Sequence, residues 1–263
     1  MLKFQRYEKP KTLEDAYALL TQNRNHLILG GMMWLKLQDR TVPCVIDLSD
    51  LGLDQIEETE TDLKIGAMVT LRQLETSSLL KQYVGDCLYD ATKDIVGTQF
   101  RNGATIGGSV YGRYGFSDLI CALLALDAKV EVYPHGIMSL ASFCERGYEK
   151  EIVTHILIPK RMHQAKFLCE RRSATDFSLI NVSVGMVEDH WNIAIGARGK
   201  LAQLRVVQKN ILPKHATKEE IQQKASEICD TYTFYDNLRG SARYRKHVAN
   251  VLLVKAIMAC LEG

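Results

Sequence analysis

The sequence lacks the cysteine spacing that is typical of metal-binding and disulfide-stapled domains. Its seven cysteines are an odd number and include no Cys-x-x-Cys pair. Thiolate metal sites need such closely spaced ligands, so a zinc site or an iron–sulfur cluster on this chain is disfavoured. The cysteines are instead predicted to be buried thiols in a reducing compartment.

The sequence also has no large excess of charge of one sign and no long hydrophobic run. The 33 basic and 31 acidic residues leave a net charge of +2, which creates no strong field to attract nucleic acid. The longest apolar run, residues 119–126, is far shorter than the roughly 20 residues that span a bilayer. The amino terminus has no signal-like apolar stretch. We therefore expect a cytoplasmic protein that binds neither nucleic acid nor membrane.

Several catalytic fingerprints are absent as well. The chain has no P-loop run, no Gly-x-Gly-x-x-Gly turn and no Gly-x-Ser-x-Gly elbow. The seven histidines lie too far apart in sequence for the usual ligand spacing. We accordingly predict no catalytic acid, base or nucleophile and no metal ligand.

What the chain does contain is a mixed pattern of helices and strands. Thr12 and Asp15 form a capping-box signal before a short amphipathic helix. Hydrophobic periodicity then predicts strands at 26–29, 45–48, 63–68, 129–133 and 152–158, helices at 71–83, 88–95 and 117–126, and a glycine-rich turn at 102–108. These elements predict a first domain over residues 1–160, with lobes at about 1–54 and 55–160.

Pro159 breaks this pattern, so we place a domain boundary between residues 159 and 165. The following domain, 165–263, is predicted to hold strands at 166–172, 179–188 and 191–197, with a turn at Asp189-His190. A helical tail capped by Ser241 closes the chain. The predicted class is α+β, with a smaller antiparallel-sheet-plus-helices domain at the carboxyl end.

Two glycine-rich loops are the strongest candidates for ligand binding. Gly30-Gly31 directly follows a buried strand, and a second Gly-Gly stands in residues 103–109 beside two hydroxyls. Glycines let backbone amides approach a phosphate, and the hydroxyls of Thr105 and Ser109 can bond its oxygens. Asp118 offers a carboxylate that can accept from ribose or a flavin N–H.

Each of these features also has an ordinary structural explanation. A Gly-Gly pair after a strand is often only a tight turn, and Asp118 is also suited to the positive end of a helix dipole. The basic stretches Arg171-Arg172 and 239–246 fit either a solvated surface or a docking surface for a partner subunit.

Taken in order, a series of short segments resembles the FAD-binding subunit of the xanthine dehydrogenase and carbon monoxide dehydrogenase family of molybdenum hydroxylases. The resemblance covers nearly the whole chain and rests on Leu29-Gly30-Gly31, Ile65-Gly66-Ala67, residues 104–108 with Asp118, residues 122–128, residues 151–159 and residues 238–245. It implies a two-lobed FAD-binding domain of the vanillyl-alcohol oxidase (PCMH) type, followed by the carbon monoxide dehydrogenase flavoprotein type of carboxyl domain.

The resemblance also implies a set of FAD-binding residues. Residues 27–34 would wrap the pyrophosphate, residues 105–109 would form the opposing loop, and further positions would lie near the cofactor. The full set is Leu27, Ile28, Leu29, Gly30, Gly31, Met32, Met33, Trp34, Ile95, Thr105, Ile106, Gly107, Gly108, Ser109, Asp118, Val153 and Lys166.

The chain departs from the family at two places. Met32-Met33 stand where relatives usually carry Thr-Asp, and Tyr111, Arg113 and Tyr114 are bulky where relatives are small. We expect the methionines to leave the backbone amides in place and the aromatic cluster to reshape the edge of the flavin pocket.

The resemblance finally implies a role in a larger assembly. The FAD chain would take electrons from [2Fe–2S] clusters on one partner chain, while another partner holds the molybdenum cofactor, and would pass them to NAD or another acceptor. A non-catalytic docking subunit with a degenerate flavin site is the main alternative, and an independent vanillyl-alcohol-oxidase-type enzyme is a second.

Overall fold

A computed structural model describes residues 1–161, 164–187, 189–212 and 215–262. The predictions that involve His163, Glu188 and Gly263 lie outside these residues. The described chain clusters into two compact units, and each is described by itself. Unit 1 comprises Met1–Gln73, Thr98–Gly112 and Lys129–Lys160, and unit 2 comprises Leu74–Gly97, Arg113–Ala128 and Arg161–Gly263. The predicted division into 1–160 and 165–263 follows different boundaries and stays a prediction.

The described residues form twelve strands and ten α-helices. In chain order they are β1 Lys3–Glu8, α1 Leu13–Gln22, β2 Leu27–Leu29, β3 Thr41–Asp47, β4 Ile56–Glu58, β5 Asp62–Gly66, α2 Leu71–Thr76, α3 Ser78–Val84, α4 Cys87–Thr92, α5 Thr98–Gly103, α6 Ile106–Gly112, α7 Asp118–Ala125, β6 Lys129–Tyr133, β7 Gly136–Ser139, α8 Leu140–Glu145, β8 Ile152–Pro159, β9 Gln164–Glu170, β10 Ile180–Met186, β11 His190–Gly196, β12 Gln203–Gln208, α9 Lys218–Asp230 and α10 Ala242–Glu262.

Side-chain caps decide where several helices begin. The Thr12 hydroxyl accepts from the Asp15 amide at 3.1 Å, so α1 starts where the capping signal places it. Ser117 caps α7 and Ser241 caps α10 in the same way. The single helix predicted over 71–83 is wrong, because Ser77 caps a separate helix, α3.

Unit 1 contains two sheets. The first has the parallel order β1-β3-β2 and packs on α1 through a core that includes Ala16, Leu20 and Ile46. The second has the antiparallel order β4-β5-β8-β6-β7, with β8 at its centre. β2 is short and ends at Leu29, so the first candidate loop starts directly after a parallel strand.

Unit 2 is built on one antiparallel sheet, β12-β11-β10-β9. α9 and α10 pack with it around a core whose largest side chain, Trp191, is fully buried. α7 also packs against β10 and β11, and every residue of this helix is buried. The predicted α+β class with an antiparallel sheet and helices at the carboxyl end is confirmed.

The glycine-rich turn predicted at 102–108 is wrong. Most of these residues belong to α5 and α6, and only Ala104 and Thr105 separate the two helices. The local signal is misleading because these glycines serve close packing inside helices, where no turn is required.

The expectations about the cysteines and about membrane-spanning segments can be compared with the structure. All seven cysteines are free, six are buried and Cys169 is half-buried. Among the described residues, no helix has the length and hydropathy needed to cross a bilayer.

Candidate functional site

The first candidate loop carries a run of free backbone amides. Gly30 and Gly31 bend away from the end of β2, and Met32 follows with a φ of 57°, in the left-handed region. Within the described residues, the N–H groups of Gly31, Met32 and Met33 form no hydrogen bond. All three residues are only half-buried. Such a run of unbonded, partly accessible amides is suited to an anion such as a pyrophosphate.

The second candidate loop is arranged differently, because its amides are already bonded. Those of Ile106 and Gly107 donate to the Val69 and Ala67 carbonyls, both at 2.9 Å. The Gly108 amide donates to the Thr105 hydroxyl at 3.2 Å. The expectation that Gly107 and Gly108 expose their amides is therefore wrong. The assignment of residues 105–109 to the cofactor stays a prediction that rests on their closeness to the first loop.

The two loops lie in direct contact, and we call residues 30–34 and 103–109 the paired loops. A Cβ added to Gly31 would stand 1.5 Å from the Gly103 carbonyl oxygen. A Cβ on Gly30 would stand 2.8 Å from the Thr105 hydroxyl. These approaches leave no room for a side chain, so both glycines are required by the neighbouring loop. Sequence reasoning brought these loops together only through the resemblance.

The two methionines occupy different surroundings within the first loop. Met32 packs against the core cluster formed by Leu2, Leu29, Val42 and Val45. Met33 lies beside Gly103, and its sulfur accepts from Lys36 at 3.7 Å. The expectation that both methionines leave the backbone amides in place agrees with the free N–H groups of this segment.

Two aromatic residues stand at the edge of the paired loops. Trp34 closes the first loop, and its ring lies 5.3 Å from that of Phe100 on α5. Val153, another predicted cofactor contact, lies in β8 of the same unit and is buried.

Three predicted site residues belong to unit 2, whereas the paired loops belong to unit 1. Asp118 is buried, and its carboxylate accepts from Arg171 at 2.7 Å and from Ser178 and Asn181 at 2.6 Å each. Burial raises the pKa of the Asp118 carboxyl, although Arg171 and the two hydrogen bonds oppose this shift. Its observed contacts are internal, and its contact with FAD stays a prediction.

Lys166 and Ile95 are the other two predicted site residues in unit 2. The Lys166 ammonium lies 2.7 Å from Asp90, which also pairs with Lys93 at 2.7 Å. Burial works to raise the pKa of Asp90, but the two lysines outweigh it and the pKa is lowered. Ile95 follows α4 and is half-buried. Their roles toward FAD also stay predictions.

The basic stretches of the sequence are internal partners as well as surface groups. Arg171 pairs with Asp118, Arg239 pairs with Asp176 at 2.7 Å, and Arg245 is buried among carbonyl acceptors. Within these stretches, contacts with a partner subunit would therefore depend on exposed residues such as Arg172 and Arg243.

Comparison with known proteins identifies the family to which this arrangement belongs. Residues 2–161 match the FAD binding domain of molybdopterin dehydrogenases, and residues 166–260 match the carbon monoxide dehydrogenase flavoprotein C-terminal domain. The chain therefore belongs to the FAD-binding subunits of the molybdenum hydroxylase family. The predicted family and the predicted cofactor, FAD, are confirmed.

Individual relatives match over almost their whole length. The chain is 26% identical to the glyceraldehyde dehydrogenase medium chain of Sulfolobus acidocaldarius, over 95% of this chain and 96% of the relative. It is also 26% identical to the carbon monoxide dehydrogenase medium chain of Hydrogenophaga pseudoflava, over 96% of each. A solved structure of carbon monoxide dehydrogenase from the same organism superposes with a TM-score of 0.86 at 24% identity, covering 99% of this chain and 98% of that one. The similarity to this solved structure shows that the two chains share a fold.

The residues present fit the pyrophosphate of FAD on structural grounds. The free amides of Gly31, Met32 and Met33 supply donors, and the second loop lies directly against Gly30 and Gly31. Sequence reasoning missed one cluster of polar residues in this unit, His135, Glu149 and Glu151. Residue spacing gave no signal for it, because His135 lies in the hairpin between β6 and β7, 14 residues before Glu149, which is too far for a local ligand motif.

Proposed function

We propose that the chain is the electron-transfer subunit of a molybdenum hydroxylase complex. It would receive electrons from [2Fe–2S] clusters on one partner chain, in a complex whose other partner holds the molybdenum cofactor, and deliver them to NAD or another acceptor. The observation that carries this proposal is the run of free amides in the first of the paired loops, in a chain that matches its family from residue 2 to residue 260. We also propose a cytoplasmic location.

The protein's own residues have defined tasks in this proposal. When bound, FAD supplies the redox chemistry. The segment 27–34 holds the pyrophosphate through its amides, and residues 105–109 form the opposing wall of the site. Ile95 and Val153 provide apolar contacts, while Asp118 and Lys166 are polar contacts to the cofactor. None of these residues acts as an acid, base or nucleophile.

The relatives support a chain that works inside a larger complex. Both the glyceraldehyde dehydrogenase and the carbon monoxide dehydrogenase relatives are described as medium chains. Together with the absence of a Cys-x-x-Cys pair in the sequence, this supports iron–sulfur centres on another subunit.

The test is a titration of the purified full-length chain with FAD, followed by its absorption spectrum and its tryptophan emission. The chain has two tryptophans, Trp34 in the first loop and Trp191 in the core of unit 2. We expect about one FAD per chain and quenching of Trp34 emission, which a Trp34→Phe variant assigns. Gly31→Ala should abolish retention, whereas Gly147→Ala, where an added Cβ meets nothing within 4 Å, should not.

Electron transfer is tested in the complex with its partner chains. Reduction of the bound FAD by the hydroxylase substrate, followed by reoxidation with NAD or oxygen, would support the proposal and identify the acceptor. If the complex retains no FAD, the chain is a docking subunit with a degenerate site and the proposal is wrong.

A further inference from the structure

Residues 148–151, which join α8 to β8, contact the end of the helix that follows the second loop. The Tyr148 hydroxyl donates to the Gly112 carbonyl, the last residue of α6, at 2.7 Å. In return, the Tyr111 hydroxyl of α6 donates to the Glu149 carbonyl at 2.9 Å. The two tyrosine rings meet edge to face, with their centroids 5.9 Å apart. α6 is therefore joined to this segment by two reciprocal bonds and a ring contact.

The same segment also contacts the base of the first loop. The Lys150 ammonium donates to the His26 carbonyl at 2.7 Å. His26 is buried and directly precedes β2, which ends at Leu29, immediately before Gly30. Lys150 is half-buried, and this partial burial lowers the pKa of its ammonium.

A charged cluster holds the segment in place. Arg146 lies 2.9 Å from Glu149 and 3.3 Å from Glu151, and His135 lies 3.5 Å and 3.8 Å from the same two carboxylates. The Glu151 side chain is fully buried. The segment thus has a fixed position from which it contacts both the helix after the second loop and the strand before the first.

We infer that Tyr111, Tyr148 and Lys150 are positioning residues for the cofactor, and this inference rests on the proposed function. They join the supports of the two paired loops through a single segment and so hold the loops, which touch through Gly31 and Gly103, in one relative orientation. Hydrogen bonds to a phosphate need donor distances near 2.9 Å, so small loop displacements weaken the grip on the pyrophosphate.

The experiment compares FAD dissociation constants of the full chain, with its partner chains if retention requires them. The variants are the double substitution Tyr111→Phe with Tyr148→Phe, which keeps both rings, and Lys150→Met. We expect each to weaken FAD binding about tenfold and to weaken ADP, as a competitor for the pyrophosphate position, by the same factor. The melting temperature of the unliganded chain should change little, and Lys150→Arg should restore affinity because it keeps a donor.

Matched controls are Tyr244→Phe and Lys255→Met, two exposed positions of α10 in unit 2. Unchanged FAD affinity in both test variants would overturn the inference while leaving the proposed function intact. A loss of affinity that follows the loss of melting temperature, without rescue by Lys150→Arg, would also overturn it, because the segment would then only stabilise the fold. If the unsubstituted chain binds no FAD, the proposed function itself fails.

Discussion

Gly107 has only a hydrogen atom as its side chain, which allows α6 to pack closely against the end of β5. An added Cβ would stand 2.6 Å from the Ala67 Cβ and 2.7 Å from the Ala67 carbonyl oxygen. The same glycine donates its amide to that carbonyl at 2.9 Å. The glycine is thus needed for packing between α6 and the end of β5, whatever ligand the loop binds.

We therefore expect Gly107→Ala to destabilise the protein by about 1–3 kcal/mol, the usual cost of overpacking. Urea unfolding of the unliganded chain measures this directly. The matched control is Gly147→Ala, where the added methyl meets nothing within 4 Å and stability should stay the same or rise slightly. Equal stabilities for the two variants would contradict the packing explanation.

α10 is anchored at its first turn by a buried guanidinium. Arg245 is 1% exposed and donates to four acceptors, which are Leu179 O, Tyr235 O, Gly240 O and Asn237 Oδ1. These bonds join α10 to the residue directly before β10 and to the loop that precedes α10. A shorter side chain at position 245 leaves several buried acceptors without a donor, which lowers the free energy of unfolding.

Arg245→Met is expected to lower the free energy of unfolding by about 3 kcal/mol or more. Arg243→Met, an exposed position two residues earlier on the same helix, should change it by less than about 0.5 kcal/mol. Chemical denaturation monitored by Trp191 emission reports on this unit. A small effect at Arg245 would mean that other donors replace the guanidinium.

The five-stranded sheet carries a histidine whose protonation opposes folding. Nδ1 of His155 on β8 lies 2.7 Å from Glu131 on β6. Burial lowers the pKa of His155, and Lys64 acts in the same direction while Glu131 opposes both. Because the folded state binds the proton more weakly than the unfolded state, stability is full above the ordinary histidine pKa of about 6.5 and falls as the pH drops through the lowered folded value.

We expect His155→Asn to reduce the loss of stability between about pH 7.5 and about pH 5. Denaturation midpoints at the two pH values measure the effect, and His247→Asn at an exposed position of α10 serves as the control. If both variants lose as much stability as the unsubstituted chain, His155 does not contribute to the pH dependence.

The elements that sequence could predict are those with strong local signals. α7 and β8 were predictable because Ser117 caps an apolar run and because β8 is a largely apolar strand that ends at Pro159. α5 and α6 were not, since their glycines are determined by contacts with Ala67 and with the first loop. For the site, the glycine pattern located both loops, and the resemblance implied their role toward FAD, which stays a prediction. The contact of residues 148–151 with Gly112 and His26 depends on tertiary structure and has no local pattern.

The two compact units are not consecutive pieces of the chain. Unit 2 takes α3, α4 and α7 from the middle of the sequence, and α7 is buried against β10 and β11. A fragment that ends at residue 161 therefore keeps α7 without its partner strands. We expect this fragment to aggregate, and co-expression with residues 162–263 should restore solubility. A monomeric, cooperatively unfolding 1–161 fragment would contradict this expectation.

The interleaving of the units also determines when the chain can fold during synthesis. The polypeptide passes between the two units five times, at residues 73–74, 97–98, 112–113, 128–129 and 160–161. β8, the central strand of the five-stranded sheet, is translated after every other strand of unit 1, and the partners of α7 are translated later still. The nascent chain therefore leaves the ribosome with apolar surface uncovered until β10 and β11 emerge, which makes it a natural client for chaperones that protect newly made polypeptides.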